Sequence, residues 1–282
     1  MKFDERKPAM NSSKECKQFT IDQLKVKVFR NRLELGQAAA SDAAAKMREL
    51  LAKQSQLRII FAAAPSQNEF LDALCKAEGI DWTRVVAFHM DDYLGLPDND
   101  ARRFSSYLKE HIFTRVPLGE VLFLLSPNSP LTQKVPAAEV ISESHDECER
   151  YSRLLKTASI DLVFMGIGEN GHIAFNDPPV AKFDDPELVK LVELEERCRI
   201  QQVHDGCFET LSAVPTHALT LTIPALFSAR YLYCMVPGPT KRDAVARTIH
   251  EAISTQCPAS ILRQHHHACL YVDFDSAGNG AN

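Results

Sequence analysis

Short apolar runs alternate with longer stretches of helical periodicity along most of the chain. The runs Leu57–Ala63, Arg84–Phe88, Val121–Leu125, Ile160–Met165, Leu219–Ile223, Tyr231–Val236 and Ala268–Val272 predict strands. Between them, Gly36–Lys53, Glu69–Glu78, Phe104–Phe113, Ala137–Lys156 and Lys241–Ile253 are amphipathic or alanine-rich and predict helices. Parallel neighbours in a sheet need crossover connections, so this alternation predicts an α/β fold: a doubly wound, mostly parallel sheet with helices on both faces. No internal repeat, low-complexity tract or Gly/Ser linker cuts the chain. Residues 1–18 read as a polar tail and 19–282 as a single domain.

Composition narrows the function classes. The chain has 282 residues, 45% of them hydrophobic, and a formal net charge of −5. That is ample material for a core, and a mixed-sign surface without the basic face that nucleic-acid binding demands. The first residues lack the apolar stretch of a signal peptide, and no apolar run reaches membrane-span length. Eight cysteines occur, none in a CxxC pair. These features read as a cytoplasmic protein with reduced thiols, no nucleic-acid partner and no membrane partner.

The polar motifs fall where strands end. Ser66-Gln67-Asn68 follows the first predicted strand, Asp91-Asp92-Tyr93 the second, Gly168–His172 the fourth and Gly238–Lys241 the sixth. Ligands of open α/β sheets bind outside the carboxyl ends of the strands, so four such motifs read as one shared site. Asp91 is the candidate general base, its pKa expected to rise through burial and through Asp92 beside it. Asp92 is expected to take a supporting or structural role there, and is counted among the substrate-binding residues.

The segment Gly166–Pro178 is the richest in chemistry. Glycines let backbone N–H groups approach a ligand, which marks Gly168 and Gly171 as substrate-binding. His172 in that turn is a proton-transfer group, and Asp177 can fix its tautomer. Lys241 opens a helix, where the macrodipole disfavours a cation unless an anion is bound; Ser66, Gln67 and Asn68 also precede a helix and offer donors to a phosphate. His265-His266-His267 has no further ligand at metal spacing and reads as a solvated loop. Asp273 and Asp275 receive no role.

Four motifs together, FHMDDYLGL at 88–96, the glycine loop ending HIAFNDP by 178, VPTHALTLTIPAL at 214–226 and PGPTK at 237–241, resemble the glucosamine-6-phosphate deaminase (isomerase) family. The resemblance spans roughly residues 20 to 275. It implies a Rossmann-like fold and cofactor-free conversion of glucosamine 6-phosphate to fructose 6-phosphate and ammonia, with no metal. It implies Asp91 as the base that moves a proton between C2 and C1, and His172 as the group that assists ring opening. Asp177 stands where the family usually has a glutamate, and Asn170 where it can have an aspartate. A neutral Asn170 removes an anion near His172 and should lower its basicity. The resemblance also implies self-association.

The phosphate end departs from the family pattern. A threonine-glycine-glycine-threonine turn is replaced by Ala63-Ala64-Pro65-Ser66-Gln67-Asn68, and the family's phosphate arginine has no match around Gln202–Phe208. Arg197 and Arg199 are the candidate substitutes, and Lys241 matches. The competing readings are a 6-phosphogluconolactonase-like hydrolase and a catalytically weak sugar-phosphate binder. A sugar-phosphate-sensing transcription regulator is disfavoured, because the N-terminal tail leaves no room for a helix-turn-helix.

Overall fold

The computed structural model describes residues 17–133 and 137–278. In chain order it contains β1 (Lys17–Ile21), β2 (Leu24–Phe29), α1 (Arg32–Leu51), β3 (Leu57–Phe61), α2 (Asn68–Cys75), β4 (Val85–His89), β5 (Asp91–Tyr93), α3 (Phe104–Leu108) and β6 (Glu120–Leu122). The second half holds α4 (Ala137–Lys156), β7 (Leu162–Met165), β8 (Val189–Glu193), α5 (Glu196–His204), β9 (His217–Leu221), α6 (Ile223–Phe227), β10 (Tyr231–Val236), α7 (Arg242–His250), β11 (Ala268–Asp273) and α8 (Phe274–Ala277).

Eight strands form the main sheet in the order β1-β2-β11-β10-β7-β3-β4-β6. Every pairing in it is parallel except β1 with β2. Helices cover both faces, so central strands are apolar at consecutive positions. Their side chains alternate between two cores: Leu162 and Phe164 join one, Val163 and Met165 the other. The fold is thus the expected Rossmann-like one.

Helix α1 shows how closely the layers pack. Asn31 caps it by accepting the Glu34 N–H, and Leu35, Ala39, Ala43 and Met47 form its buried stripe. A Cβ at Gly36 would stand 2.6 Å from the Glu69 Cβ and 2.8 Å from the Phe70 nitrogen, so only glycine admits α2 at this distance. That contact sets the position of the loop after β3.

Four expectations need correction. The run Leu219–Ile223 does form a strand, β9, but outside the parallel sheet: β9 pairs antiparallel with β5 and β8 in a separate three-stranded sheet. Periodicity fixes that a run is a strand and not which strand lies beside it. Asp91–Tyr93 is not a loop but the strand β5 of this second sheet. Of the tail expected over residues 1–18, residues 1–16 lie outside the described residues, and Lys17 and Gln18 begin β1. His265 is buried rather than solvated, its Nε2 2.9 Å from the Ala229 carbonyl and its ring edge-on to Phe227, whereas His266 and His267 are exposed.

The chain order reverses between β3 and β7. From β3 the sheet grows outward through β4 and β6; from β7 it grows the other way through β10 and β11. The loops after β3 and β7 therefore diverge and leave a crevice at the carboxyl edge.

Candidate active site

A cavity of about 220 Å³ occupies that crevice. Ser66, Asp91, Gly168, His172 and Lys241 all line it. Five of the eleven residues proposed from sequence thus meet at one hollow, with the base candidate and the histidine on the same side of the molecule.

Asp91 is held by its backbone, which leaves its carboxylate for the cavity. The strand pairs it with Thr220 of β9. His89, fully buried, lies with Nδ1 3.0 Å from the Asp91 carbonyl and receives the Leu124 N–H at Nε2, 2.9 Å away. Because a backbone N–H can only donate, Nε2 accepts and Nδ1 carries the proton. Burial drives the His89 pKa down to about 4, so this strut stays neutral. Burial, and then the Asp92 charge, push the Asp91 carboxyl well above its ordinary range. Asp92 itself is turned away from the cavity: it is fully buried and accepts from the Tyr93 and Phe104 N–H groups and from Arg103, 3.1 Å away. It does not line the cavity, and of the two roles expected for it the structural one fits these contacts.

The loop after β7 orients His172 through a compact network. Asn170 Nδ2 donates to Asp177 Oδ1 at 2.8 Å and to Glu195 Oε2 at 2.9 Å. Asn170 Oδ1 therefore faces the other way and accepts the His172 backbone N–H at 3.0 Å. His172 Nδ1 lies 2.9 Å from Asn170 Oδ1 and 2.9 Å from Asp177 Oδ1, two acceptors, so Nδ1 holds the ring proton. That assignment leaves the Nε2 lone pair free to take a proton. Burial alone would raise the Asp177 carboxyl; His172 and Asn170 outweigh it and bring the pKa below the usual value. Asn170 and Asp177 support the histidine from behind and are not part of the cavity lining.

Two glycines are required here for different reasons. A Cβ at Gly168 would lie 2.1 Å from the His172 ring, so the imidazole packs where any side chain would sit. Gly171, at φ +91°, would bring a Cβ within 2.7 Å of Cys257 Sγ. Gly171 shapes the loop and does not reach the cavity. Ala174, which does line it, is held at φ +50°, a left-handed conformation uncommon for a residue with a Cβ.

The other end of the cavity is cationic. Lys241 caps α7 and is buried, and its ammonium makes no hydrogen bond or ion pair among the described residues; burial lowers its pKa, with Asp205 and Glu169 opposing. Its turn is clamped by Asp273, which receives the Gly238 N–H on both oxygens, a role absent from the sequence reading. Ser66 lines the cavity beside Pro65, in the turn that leads into α2. Gln67 and Asn68 do not line it: Gln67 ties this turn to Ser66 Oγ and the Met235 carbonyl, and Asn68 receives the Tyr107 hydroxyl.

Neither arginine expected as a substitute lines the cavity. Arg199 donates to the Leu211 and Val214 carbonyls, and Arg197 lines a separate hollow. Arg32, the first residue of α1, lines the cavity instead, its guanidinium steadied by Glu69 at 2.7 and 2.9 Å and by the Pro65 carbonyl at 2.8 Å. Gln201, Gln202, Asp205 and Cys207 also line the cavity, where the family arginine was sought. No motif pointed to Arg32 or Glu195, because each acts through residues distant in sequence.

Against this geometry, residues 30–271 match the model of the glucosamine-6-phosphate isomerases/6-phosphogluconolactonase family. The chain belongs to that family. Glucosamine-6-phosphate deaminases of Bacillus thuringiensis and Bacillus anthracis are 30% identical over 233 residues, covering 83% of this chain and 82% of theirs. The solved structure of a monomeric glucosamine-6-phosphate deaminase superposes with a TM-score of 0.76 at 23% identity, over 89% of this chain and 98% of that one. A 6-phosphogluconolactonase from Trypanosoma brucei gives 0.71 at 17% identity, over 90% and 98%. This member of the family is a deaminase-like enzyme. Among the described residues, no helix is long and apolar enough to cross a membrane.

Proposed function

We propose that this enzyme converts glucosamine 6-phosphate, or a close amino sugar phosphate, to fructose 6-phosphate and ammonia. The observation that carries this reading is the pairing, around one cavity, of an Asp91 carboxylate without a hydrogen-bond partner among the described residues with a histidine whose free nitrogen is Nε2. His172 takes the proton of the anomeric hydroxyl and returns it to the ring oxygen, opening the pyranose to the aldehyde. Asp91 then removes the C2 proton, giving an enolamine, and delivers it to C1. The resulting C2 imine adds water and expels ammonia, leaving the ketone. A proton taken from carbon needs a base at a raised pKa, which suits Asp91. Lys241, Arg32 and Ser66 hold the phosphate at the far end.

The lactonase likeness of the fold supports a second reading, hydrolysis of a phosphorylated lactone with His172 activating water. That reaction leaves Asp91 without work, and the loop Ile173-Ala174-Phe175-Asn176 departs from the Thr-Ala-Ser type of stretch such hydrolases carry. Assaying purified enzyme for ammonia and ketose phosphate, beside a lactone hydrolysis assay, separates the two. Ammonia release from the amino sugar phosphate is the expected result; lactone hydrolysis without ammonia would overturn the proposal.

A further inference from the structure

The proposed chemistry leaves one thiol beside the His172–Asp177 pair unused. Cys198, on the first turn of α5, is 1% exposed. Its Sγ, a ring nitrogen of His172 and a carboxylate oxygen of Asp177 lie within 4.8 Å of one another. Asp177 Oδ2 is fully buried and accepts no hydrogen bond from a nitrogen or hydroxyl among the described residues; the Cys198 thiol engages the same carboxylate and helps to lower its pKa. A thiol is a weak donor, so this buried acceptor is only weakly compensated.

We propose that His172, Asp177 and Cys198 form a binding site for a thiophilic divalent transition-metal ion such as Zn²⁺, and that the ion inhibits the enzyme. The donor set is an imidazole nitrogen, a thiolate and a carboxylate. The sulfur selects against Mg²⁺ and Ca²⁺, and three protein ligands with a fourth position open suit zinc. Metal bonds of about 2.0 to 2.3 Å put tetrahedral ligand atoms ~3.3 to 3.8 Å apart, so the three side chains need close by only about 1 Å. Charge favours the site as well. A dication against one carboxylate and one thiolate is neutral, whereas a bare buried ion would be heavily penalised.

The proton ledger explains the inhibition. Binding takes the Cys198 thiol proton to solvent, and the ring proton moves from Nδ1 to Nε2 so that Nδ1 can donate its lone pair to the metal. Nε2 then carries a hydrogen and can no longer accept the proton of the anomeric hydroxyl. The ion has two approaches. The His172 ring lines the main cavity, and Asn170, in contact with both His172 and Asp177, lines a second hollow of about 260 Å³ together with Glu195 and Arg197. Occupancy is independent of the proposed deamination; the inhibition rests on that reading, through His172.

Cobalt reports the ligands directly. Titrating the full-length, metal-free, reduced protein with Co²⁺ is expected to give one ion per chain, the visible absorption of tetrahedral cobalt and a near-ultraviolet thiolate-to-cobalt band. Zn²⁺ should displace it. Both bands should vanish in Cys198→Ser and in Cys198→Ala, with near-ultraviolet circular dichroism unchanged in at least one of them, and persist in Cys207→Ser. In the turnover assay, Zn²⁺ should inhibit reversibly on chelation, and Cys198→Ser should raise the inhibitory concentration at least ~10-fold. Absence of a thiolate band in the unaltered protein, or its persistence in folded Cys198→Ser, overturns the site. Bands that behave as expected in a protein without deaminase turnover would support the site while refuting the function.

Discussion

The two ends of the cavity are built in opposite ways. At the chemical end, the side chains that brace the site come mostly from neighbours close in sequence: His89 on the Asp91 carbonyl, Asn170 and Asp177 on His172. At the phosphate end, Arg32 comes from the start of α1, Ser66 from the loop after β3 and Lys241 from the turn after β10. Proton transfer tolerates little error in distance, and short loops with internal hydrogen bonds supply that precision. A phosphate needs only convergent positive charge and donors, which remote segments can supply in many combinations. On the proposed reading, the phosphate end can do without a glycine-rich turn by using Arg32, while the chemical end keeps its local motifs.

The largest test of this contrast is Asp91→Asn. Turnover should fall on the order of 10²- to 10⁴-fold, and exchange of the substrate C2 proton with solvent should cease. Stability should move the other way. A carboxyl whose folded pKa is raised costs stability wherever the unfolded chain is ionised, and the cost disappears below the unfolded value of about 4. Denaturant melts should therefore find Asp91→Asn more stable than the parent at pH 7, by on the order of 1 kcal/mol, with the gain vanishing as pH falls toward 4. A less stable variant at pH 7 would mean that Asp91 is a structural anion. Gly168→Ala should cost nearly as much activity, about 10²-fold, since the new methyl and the His172 ring cannot share one space; a wild-type rate would show that the ring position is immaterial.

At the other end the effects should be smaller and selective. Lys241→Ala should weaken phosphorylated ligands on the order of 10- to 100-fold and leave their unphosphorylated counterparts nearly unaffected. Equal losses would make the lysine structural. Arg32→Ala should give the same selectivity at about 10-fold or less, because Glu69 already engages that guanidinium. The smallest effect is expected at Glu195→Ala. Removing the acceptor frees the Asn170 amide to turn, so kcat should fall a few-fold with KM unchanged; a KM effect alone would tie Glu195 to binding instead.

The legibility of the sequence follows the same division. Strands β3, β4, β7, β10 and β11 were readable because burial on both faces leaves an unbroken apolar run. Strands β1 and β2, with alternating exposed lysines and polar residues, and the short β5 and β8 gave no such run. The placement of β9 was hidden because pairing is decided by residues far away in the chain. In the site, Asp91, His172, Asn170 and Asp177 share two local motifs and could be named from them. Arg32, Glu195, Cys198 and Gln201 could not: each meets its partners only after the chain has crossed the sheet.

One detail of the second sheet reaches beyond its size. Asp91 is a rung of a ladder whose next rungs, β9 and β8, lie about a hundred residues or more onward. The base therefore cannot swing toward a ligand as a loop residue would. Its backbone moves with the three-stranded plate, so a ligand that needs Asp91 elsewhere must shift β9 and β8 as well.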